Sequence, residues 1–187
     1  NVSRSRMIDG TNLAYGTAGG NLYAWDLTKV TGNNFPTGIT WEVPLPESNT
    51  VARPVMVFGI SADLSTVVVW NYHQFWGYSA EDGTFLWDLT LDYPVARNEG
   101  IDLCSVDKFI VRDQTSATFH CYSMLTGAEL WESDSFADSP WASTWTVYNS
   151  QTNDLENLYL MFPDGTMAAL SLATGNTLWR SEAIPST

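Results

Sequence analysis

The fold of this chain is predicted by one stretch near its end, Ala169-Leu170-Ser171-Leu172-Ala173-Thr174-Gly175-Asn176-Thr177-Leu178-Trp179. Its pattern indicates a strand, a tight turn at Thr174-Gly175 and a returning strand that carries Trp179, since glycine tolerates the positive φ that such turns require. The same unit recurs at 121–131 and 77–87, and a looser copy with a longer loop runs from 24 to 41.

The spacing of these copies predicts an all-β fold. Each copy closes on a tryptophan, and the four positions, 41, 87, 131 and 179, are separated by 46, 44 and 48 residues. A strand-rich repeat of about 45 residues is typical of β-propeller blades. We therefore expect a single segment of four four-stranded antiparallel blades, at about 1–46, 52–91, 97–134 and 141–183.

A second set of repeated positions predicts how the blades pack. The third strand of each copy carries a small residue, namely Ala24, Gly77, Cys121 or Ala169, next to a large one. We expect a large side chain of one sheet to fill the space over the small residue of its neighbour. The closing tryptophans should cover the contacts between blades and donate their indole N–H to a carbonyl of the adjacent blade. The residues assigned to this structural motif are Trp41, Trp87, Trp131, Trp179, Gly83, Gly127 and Gly175.

The repeat count bears on ring closure. The repeats fill the chain as a whole number of blades, from an innermost strand to an outermost one. We expect an arc, or half of a larger seven- or eight-bladed ring, because four blades would each have to turn by about 90° to close. The bare faces of the first and last blades would then be covered by another copy, head to tail, or by further blades.

Composition limits the partners. The chain has 21 acidic and 8 basic residues and a net charge of −13, so we expect no nucleic-acid binding. No run of 18 apolar residues is present and the first residues do not resemble a signal peptide, so we expect no membrane insertion. The aromatic content of 13% and the presence of only two lysines favour an extracellular, secretory or periplasmic compartment.

Residues that could perform chemistry are sparse. His73 and His120 are the only histidines, and His120 and Cys121 are adjacent on a strand, so their side chains point to opposite faces. We therefore predict no metal site and no catalytic residue, although a Ser-His-Asp or Cys-His site stays open. Cys104 and Cys121 should not be bonded to each other, because one strand lies between theirs.

The most unusual local run is 70–78, a hairpin crowded with aromatic and amide side chains. Its tip offers a candidate ligand-binding group, because exposed aromatic residues beside amides bind sugars or proteins. The alternative is that these side chains only pack within the blade. The candidate residues are Tyr72, His73, Gln74 and Phe75.

The repeat resembles that of the quinoprotein-like propellers, the family named for pyrroloquinoline quinone (PQQ) dehydrogenases. Its pattern is roughly A-x-D-x-x-T-G-x-x-x-W. Thr174-Gly175 with Trp179 and Thr126-Gly127 with Trp131 fit it. Asp82-Gly83 with Trp87 fits with Asp for Thr, and the Asp of the family is kept at Asp26, while the other copies carry Ser.

The resemblance implies three alternative functions. The first is a noncatalytic scaffold or binding module that engages a protein partner or assembles with further blades or copies, without a cofactor. The second is part of a PQQ-dependent dehydrogenase with PQQ and calcium, although Cys104 and Cys121 cannot be the adjacent cysteine pair of the alcohol dehydrogenases. The third is a carbohydrate-binding propeller. The first is favoured, because no catalytic constellation is visible.

Overall fold

A computed structural model describes most of the chain. The described residues are 5–7, 11–31, 37–46, 55–71, 73–93, 101–104, 107–113, 115–137, 146–148, 156–162 and 165–182, with the backbone alone at 5–7, 101–104 and 146–148. The chain divides into two compact units. Unit 1 comprises 1–90 with 124–127, and unit 2 comprises 91–123 with 128–187.

Unit 1 contains two sheets, each of four antiparallel strands in sequential order. The strands of sheet 1 are β1 (Ser5–Met7), β2 (Leu13–Ala18), β3 (Asn21–Asp26) and β4 (Ile39–Pro44). The strands of sheet 2 are β5 (Met56–Ile60), β6 (Thr66–Asn71), β7 (Gln74–Ser79) and β8 (Phe85–Thr90). A short 3-10 turn, Leu27–Lys29, follows β3 within the long loop of the first repeat.

Unit 2 contains two further sheets with the same meander order. The strands of sheet 3 are β9 (Ile101–Cys104), β10 (Lys108–Asp113), β11 (Thr118–Ser123) and β12 (Glu129–Glu132). The strands of sheet 4 are β13 (Thr146–Tyr148), β14 (Asn157–Met161), β15 (Met167–Ser171) and β16 (Thr177–Arg180). The predicted fold class, an all-β protein built of four four-stranded propeller blades, is confirmed.

The core of each unit lies between its sheets. Val67, Val68 and Val69 on β6 are all fully buried, so this strand is covered on both faces. The outer strand β4 instead alternates between half-buried and exposed residues. The core of unit 2 includes Phe119 and Phe162. Full burial of an apolar side chain of this size stabilises a fold by about 1.5–3 kcal/mol.

The repeated small residue lies directly across from the closing tryptophan of its own sheet. The cross-strand pairs are Ala24–Trp41, Gly77–Trp87, Cys121–Trp131 and Ala169–Trp179. A Cβ atom added at Gly77 would lie 2.3 Å from the Trp87 ring. The small residue therefore makes room for the indole of its own sheet. The expectation from the sequence, in which a side chain of the neighbouring sheet fills this space, did not include this contact. A register shift follows this pair in all four sheets.

The two cysteines lie on different strands of sheet 3. Cys104 is on β9 and Cys121 on β11, with β10 between them, as the sequence predicts. Cys121 is a free, fully buried thiol, and burial raises its pKa to about 12.

Candidate functional site

Three of the four closing tryptophans make the same contact with a turn further along the chain. In each case the indole N–H donates to the carbonyl oxygen of the first turn residue, which satisfies the polar atom of a large apolar ring. The pairs are Trp41 with Ala80 at 3.1 Å, Trp87 with Met124 at 3.1 Å, both within unit 1, and Trp131 with Leu172 at 3.0 Å within unit 2. We call this contact a seam.

The glycine that ends each of these turns lies against the same indole. Gly83, Gly127 and Gly175 have φ values of +76°, +69° and +75°, a region that side chains with a Cβ rarely adopt. A Cβ atom at these positions would lie 2.8, 2.6 and 2.5 Å from the rings of Trp41, Trp87 and Trp131, respectively. Glycine is therefore required twice, by the turn and by the ring.

Trp179 differs from the other three. Its side chain is 44% exposed, and its ring lies 6.3 Å from that of Tyr159. The expectation that all four tryptophans cover a seam thus fails for Trp179 in this structure, since so large an exposed fraction is incompatible with a covered ring.

Unit 1 carries an open groove of about 530 Å³ between the end of sheet 1 and the outer strands of sheet 2. Phe85, on the outermost strand β8, is 52% exposed and contacts Tyr78 edge-on at 5.8 Å. Asp88, also exposed, is the acidic residue of the lining. The complete lining is Val43, Pro44, Leu45, Pro46, Trp76, Tyr78, Gly83, Phe85 and Asp88.

The four residues of the predicted hairpin tip do not share one exposed environment. Tyr72 lies outside the described residues, and His73 and Gln74 are half-buried. Phe75 is 0% exposed, so the expectation that it is exposed is wrong. Its ring stacks on Trp70 at 6.1 Å, because the two residues are a cross-strand pair of β6 and β7. That His73 and Gln74 contact a ligand stays a prediction.

A polar cluster in unit 2 was not anticipated from the sequence. His120 Nδ1 lies 2.7 Å from Glu129 Oε1, and its Nε2 lies 3.0 Å from Thr118 Oγ1 and 3.9 Å from Glu132 Oε1. Tyr93 stacks on the imidazole at 4.8 Å. His120 with the two glutamates is a group that could hold a metal ion by distance alone. However, the two carboxylates approach different ring nitrogens, and each nitrogen already has a hydrogen-bonding partner, so the cluster is complete without an ion.

Two tyrosines extend this cluster. The hydroxyl groups of Tyr93 and Tyr122 lie 2.8 Å apart. Burial raises the pKa of Tyr93 well above its usual range and that of Tyr122 to about 12. Both phenols therefore stay neutral at physiological pH, which suits a structural hydrogen bond.

Within the described part of the chain, no helix has both the length and the apolar character needed to cross a membrane.

The repeated meander and its Trp–Gly seams define a β-propeller built of PQQ-like repeats. The family model described as "Outer membrane protein assembly factor BamB" matches residues 77–187, more than half of the 187-residue chain. The chain belongs to this family. The predicted resemblance is thereby confirmed. No curated protein matches the sequence.

Solved structures of propellers match nearly the whole chain. BamB from Moraxella catarrhalis is 17% identical with a TM-score of 0.54, and the match covers 97% of this chain and 51% of that one. The computationally designed Ika8 protein is 16% identical with a TM-score of 0.62, covering 96% and 48%. Hsv2p from Kluyveromyces lactis is 11% identical with a TM-score of 0.63, covering 96% and 50%. These identities show the fold alone, and the chain spans about half the length of the structures it matches.

Proposed function

We propose that this protein is a noncatalytic β-propeller scaffold that binds an extended segment of a protein partner in the groove of unit 1. The observation that carries the proposal is the groove itself, which presents a half-exposed Phe85 between proline and aromatic side chains. Large aromatic side chains in partly desolvated clefts are the usual anchors of protein interfaces. The family description, an outer membrane protein assembly factor, supports a role in assembly.

The groove favours a particular segment chemistry. Pro44 and Pro46 lack backbone N–H groups, so side-chain contacts rather than an added strand hold the segment at this edge. Asp88 and the net charge of −13 favour a segment that combines apolar side chains with lysine or arginine.

A peptide library displayed on phage and selected on the intact chain tests this proposal. We expect the selected peptides to combine apolar and basic residues. Phe85→Ala should weaken their binding about tenfold, equivalent to about 1.4 kcal/mol, because an aromatic anchor is lost. Asp88→Asn should weaken the binding of peptides with basic residues in particular.

Leu86→Ala is the matched control. Leu86 is 46% exposed and adjacent to Phe85 on β8, and it does not line the groove. Its substitution should leave binding unchanged. If the selected peptides bind the Phe85→Ala variant as tightly as they bind the unmodified chain, the binding surface lies outside this groove.

The dehydrogenase alternative fits the residues poorly. Cys104 and Cys121 are separated by β10, and Cys121 is fully buried, so they cannot form the adjacent pair that lies beside the quinone in the alcohol dehydrogenases. Adding PQQ with Ca²⁺ and recording the absorption spectrum after gel filtration tests this alternative, and a retained chromophore would support it.

The carbohydrate alternative is favoured by one observation, the presence of the exposed Phe85 ring and the Asp88 carboxylate in the lining of the same groove. A glycan array tests it. Glycan binding that Phe85→Ala abolishes would assign the groove to sugars rather than to peptides.

The compartment belongs to the same proposal. The family description, with the composition of the chain, supports an extracellular, secretory or periplasmic location. Fractionation of cells that express the tagged native gene product tests it, and recovery of the product only with cytosolic markers would contradict it.

A further inference from the structure

The position that Asp88 holds in the groove of unit 1 is held by an arginine in unit 2. In sheet 2 the register pairs Trp76 with Asp88, on either side of the row formed by the small residue and the closing tryptophan. In sheet 4 it pairs Ala168 with Arg180 beside the equivalent row. Asp88 and Arg180 therefore occupy the same position of the repeat.

The floor of the groove has an equivalent in unit 2 as well. Leu45, which lines the groove, donates its backbone N–H to Gly20 O at 2.8 Å. Phe136 donates its backbone N–H to Ala117 O at 2.9 Å. Both accepting residues lie four positions before the repeated small residue of their sheet. Leu45 and Phe136 therefore occupy the same place after the outer strands of sheets 1 and 3.

In unit 2 the arginine lies over this floor. Arg180 Cζ is 5.7 Å from the centre of the Phe136 ring and 5.6 Å from that of Phe162, and both rings are only 2% exposed. A guanidinium so close to aromatic faces is attracted by their quadrupoles, while its alkyl stem covers apolar surface. The space that Arg180 covers in unit 2 thus corresponds to the groove of unit 1.

Unit 1 carries the complementary half of this arrangement. Its groove has an aromatic wall, formed by Trp76, Tyr78 and Phe85, and a carboxylate in place of the guanidinium. Lys29 is the one cationic side chain that the structure describes in unit 1, and it pairs with Asp26 at 2.9 Å. A cation that enters the groove from a partner therefore meets both the aromatic rings and an exposed carboxylate.

We propose that the groove of unit 1 binds an arginine side chain of the partner segment, with its guanidinium paired to the Asp88 carboxylate and stacked on the aromatic wall. The inference rests on the proposed function and names the residue that the groove recognises. A planar guanidinium can donate two hydrogen bonds to one carboxylate while its face lies on a ring. The ammonium group of lysine is a strongly hydrated point charge, so lysine should bind less well.

A small probe tests this site without any peptide. N-acetyl-arginine amide is titrated into the isotope-labelled full chain, and the indole N–H resonance of Trp76, assigned with Trp76→Phe, is followed by nuclear magnetic resonance. We expect a saturable shift of this resonance. N-acetyl-citrulline amide has nearly the same shape without the charge and should cause no saturable shift. N-acetyl-lysine amide should bind several-fold more weakly than the arginine derivative.

Three variants assign the effect to the carboxylate. Asp88→Asn should weaken binding of the arginine probe about tenfold, because the charged partner is lost. Asp88→Arg should abolish it, because a guanidinium of the chain itself then fills the groove, as Arg180 does in unit 2. Glu81→Gln is the matched control, since it removes an exposed carboxylate of unit 1 that does not line the groove, and it should leave binding unchanged.

The peptides selected on the intact chain give a second measurement. Replacing their arginine by citrulline should weaken binding to the unmodified chain about tenfold. The same replacement should have little effect on binding to Asp88→Asn, because the arginine and the carboxylate act as a pair.

The two proposals fail in different ways. Peptides that require Phe85 but bind equally well with arginine or citrulline would overturn the arginine inference and leave the peptide groove intact. Equal shifts of the Trp76 resonance with the arginine and citrulline probes would overturn it as well. A shift that depends on Asp88, without any selected peptide that requires Phe85, would keep the guanidinium site and refute the extended segment as its ligand.

Discussion

Removing the indole of Trp131 should destabilise unit 2 strongly. Its side chain is only 8% exposed, and substitution of a buried tryptophan by alanine costs about 3–5 kcal/mol. The loss comes mainly from packing, because the Leu172 carbonyl that accepts the indole N–H also accepts a hydrogen bond from Lys108 Nζ at 2.9 Å. That carbonyl therefore keeps a donor in the variant, and no unsatisfied acceptor is added to the cost.

Gly175→Ala perturbs the same seam from the other side. The new Cβ would lie 2.5 Å from Trp131 Cε3, and a φ of +75° is unfavourable for alanine. The clash contributes about 1–3 kcal/mol and the left-handed backbone about 1–2 kcal/mol. In the Trp131→Ala background the clash disappears and only the backbone cost remains. The double variant should therefore be more stable than the sum of the single effects predicts, by about 1–3 kcal/mol.

Urea unfolding followed by far-ultraviolet circular dichroism measures these effects as shifts of the midpoint at constant slope. Trp179→Ala is the control, because a side chain that is 44% exposed loses less on truncation, about 1–2 kcal/mol. Equal losses of unfolding free energy for Trp131→Ala and Trp179→Ala would refute the structural account of the seam. Strictly additive losses for Trp131→Ala and Gly175→Ala would refute it as well.

Three further predictions concern single side chains. Burial raises the pKa of the Cys121 thiol from 9.0 to about 12, so its thiolate fraction should be about 1000-fold below that of a free cysteine. Iodoacetamide should therefore label Cys121 only after denaturation. Rapid labelling of the native chain would contradict its burial. Hydrogen bonds from Thr28, with Lys29 nearby, lower the pKa of Asp26 from 3.8 to about 2. The stabilisation from this carboxylate is thus complete above about pH 4 and lost as the pH falls towards 2. Asp26→Asn should therefore flatten that part of an acid-unfolding curve. An acid-unfolding curve that Asp26→Asn leaves unchanged would contradict the lowered pKa of Asp26. Phe75→Ala should lower the free energy of unfolding by about 3–5 kcal/mol in urea titrations, because Phe75 is a core residue and not an exposed ligand contact. An unchanged urea midpoint would instead support the prediction of an exposed tip.

The strands could be predicted because two local signals agree in the last three repeats. A turn glycine and a tryptophan four residues later fix the hairpin between the third and fourth strands, and the remaining strands follow from the apolar runs before it. β10 (Lys108–Asp113), for example, contains the apolar run Phe109-Ile110-Val111. The long loop of the first repeat could also be placed, because Asp26 and Trp41 flank it.

The site residues could not be predicted in the same way. Alternation along a strand separates two faces, but in stacked sheets both faces are covered, so Phe75 is buried where the sequence suggested a tip. The cluster around His120 depends on the register shift between β11 and β12, which sets Glu132 opposite His120 and Glu129 opposite Tyr122. No spacing in the sequence reveals such a shift. The groove depends on the packing of two sheets, which local patterns do not encode.

The seams have a consequence for how such genes can recombine. Each of the three seam tryptophans fits a glycine that belongs to the following repeat, as Trp41 fits Gly83 and Trp131 fits Gly175. A crossover between two repeats therefore separates a tryptophan from the glycine of its seam. A crossover within a repeat, after the glycine and before the next tryptophan, keeps every seam pair on one parental segment and separates the tryptophan only from the small residue across from it in its own sheet, such as Gly77 from Trp87. Chimaeras of related propellers joined at such internal points should retain more of the parental stability than chimaeras joined at the links between blades when both parents carry the same small residue at that position.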